Sequence, residues 1–290
     1  MSYGLDDWAE EVIPRSADID IFGTSHPGRV RPENQDQFLV ASLHRVLQVH
    51  QTTLPEDHPA LLRSASRGYI FLVADGVGGA PAGREASELT LRAVAQYLTN
   101  VVDVCRQGVF DEEARFLGEL TKAVAQSHEA IMQVGERDED RRGMATTLTM
   151  VAVLWPRAYL VHVGDTRAYR LRDGVLELLT RDQTMAQVMI DAGALTADRA
   201  AHSALNHMLT SAVGGRELLP AVQATDCRWS DMMLLCTDGL TKHLSEDDIK
   251  AIMLAHPTAE EIGHALVATA LERGGSDNIT VVVGRLRPRE

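Results

Sequence analysis

No apolar run in these 290 residues approaches the roughly 20 needed to cross a bilayer as a helix. The opening MSYGLDDWAEEV is acidic where a secretory signal would be basic and then apolar. Both absences point away from membrane insertion and export, and predict a cytoplasmic protein. Cysteine is scarce: Cys105, Cys227 and Cys236 stand far apart with no CxxC pair. That excludes a disulfide framework and a zinc knuckle. Positive charge is also short, with 28 Lys and Arg against 41 Asp and Glu for a net charge of -13. A grip on nucleic acid or anionic lipid needs clustered basic residues, so neither partner is expected. Internal repeats, low-complexity tracts and a dividing linker are missing as well, which predicts one domain.

What is present is ordinary globular composition, 45% hydrophobic and 24% charged. Residues 1–18 are polar and aperiodic and read as a leader or tail. From 19 to 287 the chain reads as one domain, with an irregular excursion at 44–67, where prolines and charges follow no period. GYIFLVAD reads as a buried strand and REASELTLRAVAQYLTNVV as a helix with Val94, Tyr97, Leu98 and Val101 on one face. A second helix is predicted over 112–135. TLTMVAVLW, AYLVHVG, RAYRLR and VLELLT are short β-rich runs joined by connections too short for crossover helices, so they pair antiparallel. Ser245-x-x-Asp248 and Thr258-x-x-Glu261 mark two later helix starts. Grouped rather than alternating elements predict an α+β fold with helices packed on antiparallel sheet.

Aspartates fall at the ends of the apolar runs, in FLVAD75G, LVHVGD165, LLCTD238G and SD277NITVVV. Carboxylates gathered at one rim repel unless a cation neutralises them. Oxygen donors without His or Cys select a hard ion such as Mg²⁺ or Mn²⁺. Asp-Gly is also a common turn dipeptide, and Asp173-Gly174 in RLRDGVLEL reads as an ordinary hairpin turn. The weight lies in several such aspartates together with a basic, glycine-marked loop upstream.

GRVRPENQDQF, VADGVGGAPAG, GMATTLTMVAV, VHVGDTRAYRLRDG, LTRDQT, LLCTDGL and SDNITVVV together resemble the ordered motifs of the metal-dependent protein phosphatases, the protein phosphatase 2C family, in its bacterial branch. The resemblance runs from about Phe22 to about Arg285. It implies a β-sandwich of two antiparallel sheets flanked by pairs of helices. It also implies hydrolysis of phosphoserine and phosphothreonine by direct attack of a water bridging two Mn²⁺ or Mg²⁺ ions. By the same resemblance Asp75 bridges the two metals, the Gly76 carbonyl completes one of them, and Asp238 and Asp277 hold the other. Asp165 matches the ligand of a third ion. Asp36 orients metal-coordinated water. Arg31 grips the substrate phosphate, for which a guanidinium fork is suited. Residues 185–213 correspond to the flap beside the site. The chain departs from common members at Gln35, Val77 and Ala80. The expected partners are phosphorylated proteins, substrates of a Ser/Thr kinase, met by a monomer.

Two other phosphatase chemistries fail on motif grounds. CTDGLTK is a Cys-x5-Lys, but no histidine precedes Cys236 and Lys242 lacks the planar fork a cysteine phosphatase loop uses, so Cys236 reads as a buried strand residue. An aspartate-nucleophile enzyme needs a second Asp where Val77 stands. The rival of a different kind is a non-catalytic scaffold that binds phosphoprotein or a kinase. His162, inside a predicted strand, reads as a hydrogen-bonded core residue rather than a base.

Overall fold

The run Tyr69 to Ala74 is apolar without alternation because both of its faces are covered. The computed structural model describes residues 14, 18–44, 66–77, 82–101, 112–201 and 203–287. Eleven strands form two antiparallel sheets. One has the order β1 (Ile19–His26), β11 (Ile279–Leu286), β10 (Met232–Cys236), β7 (Arg167–Arg172), β8 (Val175–Leu178). The other runs β2 (Asp36–His44), β3 (Ser66–Val77), β5 (Leu148–Leu154), β6 (Arg157–Val163), β9 (Ala221–Asp226), with the short β4 (Ala145–Thr146) on the end of β3. Helices α1 (Ala82–Val101) and α2 (Glu112–Arg137) cover the second sheet, and α6 (Glu246–Ala255) and α7 (Ala259–Glu272) cover the first. The predicted α+β sandwich flanked by helix pairs is therefore the fold.

Successive side chains of a strand point to opposite faces, and the three cores follow that period. Tyr69, Phe71 and Val73 meet Met233, Leu235 and Val282 between the sheets. Ile70 and Leu72 turn outward to Val94 and Leu98 of α1 and to Leu120 and Val124 of α2. Leu234, Val281 and Val283 do the same against Ile262 and Leu266 of α7. Each such fully buried side chain contributes about 1.5–3 kcal/mol.

Several local expectations hold. Ser245 caps α6 in a reciprocal capping box with Asp248, and the Thr258 hydroxyl accepts from the Glu261 N–H at the start of α7. Asp173 and Gly174 both take positive φ, 49° and 74°, as a tight hairpin between twisted strands requires. Of the predicted α1 face, Val94 and Leu98 are buried, and the Tyr97 hydroxyl bonds Glu119 of α2. Cys236 is fully buried in β10, and burial pushes its thiol up to about 12. Two features were not anticipated. Strand β3 does not stop at Asp75-Gly76 but runs on to Val77, with Gly76 and Val77 paired to β4. Strand β9, exposed along its first half, has no apolar alternation to announce it. The leader and most of the 44–67 excursion lie outside the described residues, as do Ala80, Cys105 and His202.

His162 lies in β6 between the sheets. Its Nε2 faces the Arg181 carbonyl at 3.0 Å and must donate, so Nδ1 accepts from the Thr149 hydroxyl at 2.9 Å, and Thr149 accepts in turn from Thr166 at 2.7 Å. The neutral ring satisfies this chain, and burial holds its pKa at about 4. In the unfolded chain the ring binds its proton below about pH 6.5. Stability is therefore complete above that pH and falls by about 3 kcal/mol as the pH drops toward 4. Urea unfolding of native protein and His162→Gln at about pH 7.5 and about pH 4.5 checks this. The deficit of the variant shrinks by that amount at the lower pH, whereas a constant deficit means the imidazole titrates normally.

Candidate metal and phosphate site

Antiparallel pairing brings five aspartates to one end of the sandwich. Asp36 opens β2 directly opposite Asp75 near the end of β3. Asp165 follows β6, Asp238 follows β10, and Asp277 precedes β11. Asp75 shares the face of Tyr69, Phe71 and Val73 by parity and so points between the sheets. Its main chain is fixed by Thr147 and Thr146: the Thr147 hydroxyl accepts from its N–H at 2.9 Å, and its carbonyl accepts from the Thr147 N–H and the Thr146 hydroxyl at 2.9 and 2.8 Å. Gly76 lies against Gly83 so closely that a Cβ there would fall 2.2 Å from the Gly83 carbonyl oxygen. Only glycine leaves the backbone uncovered at that point.

Asp36 belongs to one sheet and takes its hydrogen bonds from the other. Its Oδ2 accepts from the hydroxyls of Thr237 at 2.8 Å and Thr280 at 2.7 Å. Since Thr280 spends its proton on Asp36, it accepts from Ser25 at 2.7 Å, and Ser25 accepts from the Asn34 side-chain amide at 2.7 Å. Among the described residues Asp36 Oδ1 is buried without a hydrogen-bond partner, as is Asp238 Oδ1.

Charge governs the rest. Burial first, then Asp36, Asp238, Asp165 and Asp277 in that order, drive Asp75 well above the usual carboxylate range. Burial raises Asp36 to about 7 despite the donated bonds from Thr280 and Thr237. Burial and the neighbouring Asp238 take Asp165 to about 8. Asp277 moves the other way. Burial alone would raise it, but the Arg31 fork, at 2.7 and 2.9 Å, and the Lys242 ammonium, at 2.7 Å, hold it low. Lys242 also touches Asp238 Oδ2 at 2.6 Å, and these two carboxylates outweigh burial to keep the ammonium charged.

Among the described residues no group of three His, Cys, Asp or Glu side chains is arranged to chelate one ion. Arg31 and Lys242 occupy carboxylate oxygens of Asp277 and Asp238. The donor chemistry nonetheless fits hard divalent cations. It is oxygen only, it includes two buried carboxylate oxygens that lack a partner among the described residues, and it holds three carboxylates whose pKa values are raised by burial first and by neighbouring carboxylates second.

The family model described as Protein phosphatase 2C matches residues 48–272. The chain belongs to the protein phosphatase 2C family. It is 36% identical over 217 residues to the serine/threonine protein phosphatase PstP of Mycobacterium tuberculosis, a match covering 74% of this chain and only 40% of that protein's length. It is 30% identical over 218 residues to a putative protein phosphatase 2C-type protein of Streptococcus pyogenes, covering 74% and 84%. Among solved structures, the M. tuberculosis phosphatase superposes with a TM-score of 0.74 at 31% identity, over 93% of this chain and 99% of that one. The catalytic domain of PstP in complex with two manganese ions gives a TM-score of 0.72 at 32% identity, over the same shares.

This protein phosphatase 2C chain also uses residues that motif reading passed over. Thr237 and Thr280 hold Asp36, Lys242 holds Asp238 and Asp277, and Asn278 ties down the loop that carries Arg31. Asn278 Nδ2 donates to the carbonyls of Pro27 and Glu33, both at 2.9 Å, and its Oδ1 accepts from the Gln35 N–H at 2.9 Å. The available signal was adjacency, since 237 and 278 flank named aspartates and 242 lies one helical turn beyond one.

Asn278→Ala strands three backbone groups at once, a loss of about 2–4 kcal/mol. Denaturant unfolding measures the loss, and limited trypsin digestion shows faster cutting after Arg29. Unchanged cutting would mean that the loop is held by something other than Asn278.

Proposed function

We propose that this chain is a metal-dependent serine/threonine protein phosphatase. The carrying observation is the rim of crowded carboxylates, with two buried oxygens that lack a partner among the described residues, beside an arginine whose side chain is 56% exposed and whose fork rests on Asp277. The relatives named as serine/threonine phosphatases support the substrate class. The manganese-bound relative supports the cofactor, two Mn²⁺ or Mg²⁺ ions. In this reading Asp75, the Gly76 carbonyl, Asp238 and Asp277 would hold two ions, and Asp165 would hold a third. When bound, the ions supply an acidified, oriented water for in-line attack on phosphorus.

The chain's own residues do the remainder. Arg31 exchanges its fork on Asp277 for two phosphoryl oxygens of the substrate, keeping the bidentate geometry. Asp36, fixed by hydroxyls from the opposite sheet, orients water beside the ions. The 185–213 segment, with α3 (Met185–Asp191), α4 (Ala197–Ala201) and a 3-10 turn at Ala204–His207, forms the flap that meets the polypeptide around the phosphoresidue. The catalytic unit is one domain over 19–287, working as a monomer in the cytoplasm on products of a Ser/Thr kinase. Among the described residues no helix is long and apolar enough to cross a membrane.

Phosphate release from a phosphothreonine peptide, followed with Mn²⁺ and with EDTA, tests the reading. Turnover requires the metal and falls at least about 100-fold in Asp238→Asn, beyond what outer groups of a metal site typically cost. A folded native protein that releases no phosphate from several peptides with either metal would instead mark a phosphoprotein-binding scaffold. Arg31→Ala acts on substrate grip: KM rises by about tenfold or more while metal binding persists. An unchanged KM would take Arg31 out of the phosphate site.

A further inference from the structure

The pocket assigned to one of the ions already contains a cation. Lys242 Nζ lies 2.6 Å from Asp238 Oδ2 and 2.7 Å from Asp277 Oδ2. Its position is built in by the chain. Asp238 opens the single-turn helix α5 (Asp238–Thr241), and Lys242 closes it, with its own N–H donated to the Asp238 carbonyl at 2.8 Å. One helical turn thus returns the lysine stem over the aspartate four residues before it. Many such pairs are solvated surface contacts of little consequence. Here the side chain is only 25% exposed, and the ammonium reaches past its helical partner to a second carboxylate 35 residues later in the chain.

We infer that Lys242 is the site's internal counter-ion: it bridges Asp238 and Asp277 in the metal-free protein and must leave when a divalent ion arrives, so that it sets the affinity for metal. The inference rests on the assignment of those two aspartates as ligands. An ammonium and a divalent ion cannot share the same pair of oxygens, because the charges repel and the lone pairs are already directed at N–H groups. Binding therefore exchanges two charge-assisted hydrogen bonds for metal–oxygen contacts, and the affinity is lower by the strength of what is broken. Together with Arg31, whose fork holds both oxygens of Asp277, the same lysine opposes the negative charge of the metal-free rim. Asp238 is suited to the exchange, since its Oδ1 has no partner and only Oδ2 has to be surrendered by Lys242.

The test titrates Mn²⁺ into metal-free full-length protein, reading free Mn²⁺ by electron paramagnetic resonance, with thermal melting in the absence of metal alongside. Lys242→Met keeps most of the stem and removes the charge, Lys242→Arg keeps the charge, and Asp238→Asn removes the ligand. Expected is Mn²⁺ binding at least about tenfold tighter in Lys242→Met, about 1.4 kcal/mol, at the site that Asp238→Asn weakens. Its metal-free melting temperature falls, while Lys242→Arg stays near native in both. Should Lys242→Met fold only with Mn²⁺ present, the chelator concentration needed to strip the metal reads the same affinity from the loaded side. Equal or weaker Mn²⁺ binding in Lys242→Met, with binding still weakened in Asp238→Asn, overturns the role of Lys242 alone. Native-like binding in Asp238→Asn overturns the ligand assignment, and this inference with it.

Discussion

Carboxylates a few ångströms apart repel, and taking them out of water removes the screening that would make the repulsion tolerable. The end of the sandwich that carries Asp36, Asp75, Asp165, Asp238 and Asp277 is organised around that difficulty. Where a cation is at hand the carboxylate stays ionised, as Asp277 does between Arg31 and Lys242. Where no cation touches the carboxylate, burial and the neighbouring aspartates push the pKa up, as at Asp75, Asp36 and Asp165. A divalent ion resolves the second case with the chemistry that the oxygen-only donor set selects. The protein cations and the metal are in this sense alternatives for the same oxygens.

Such an arrangement persists only if its supports cannot relax away. Strands β3, β10 and β11 are covered on both faces, by the other sheet and by a helix pair. Side chains at their ends inherit that rigidity, because interiors packed to crystal density do not deform continuously. The loop carrying Arg31 has no such cover, and it is bound to the rest by the amide of Asn278, next to the very aspartate that Arg31 engages. Rigid walls and a pinned loop thus divide the work of holding metal and meeting phosphate.

The parts of this design legible in the sequence were those written over short distances. Continuous apolar runs read out β3, β5, β6 and β10, and the capping residues Ser245 and Thr258 read out the starts of α6 and α7. The carboxylates were legible because each sits at the end of an apolar run. The strand read as ending at Asp75 in fact continues through Gly76 to Val77, and that glycine is demanded by the approach of Gly83 rather than by a turn. Strand β9 was hidden because an exposed sheet edge needs no apolar alternation. The parts played by Thr237, Thr280, Asn278 and Lys242 depend on partners up to 251 residues away, and no local pattern encodes such pairings.

Asp36 sits on one sheet while its hydroxyl donors sit on the other, so the hydrogen bonds at the rim measure how the two sheets are registered. The two sheets approach closely at Gly284, where a Cβ would come 3.0 Å from the Phe71 ring. A sideways slip forced by a substitution there would be transmitted along the stiff strands and felt as misaligned donors at Asp36. The sandwich thus behaves as a vernier, in which a small error far down one scale is read at the other end, and residues remote from phosphate belong to its tolerance.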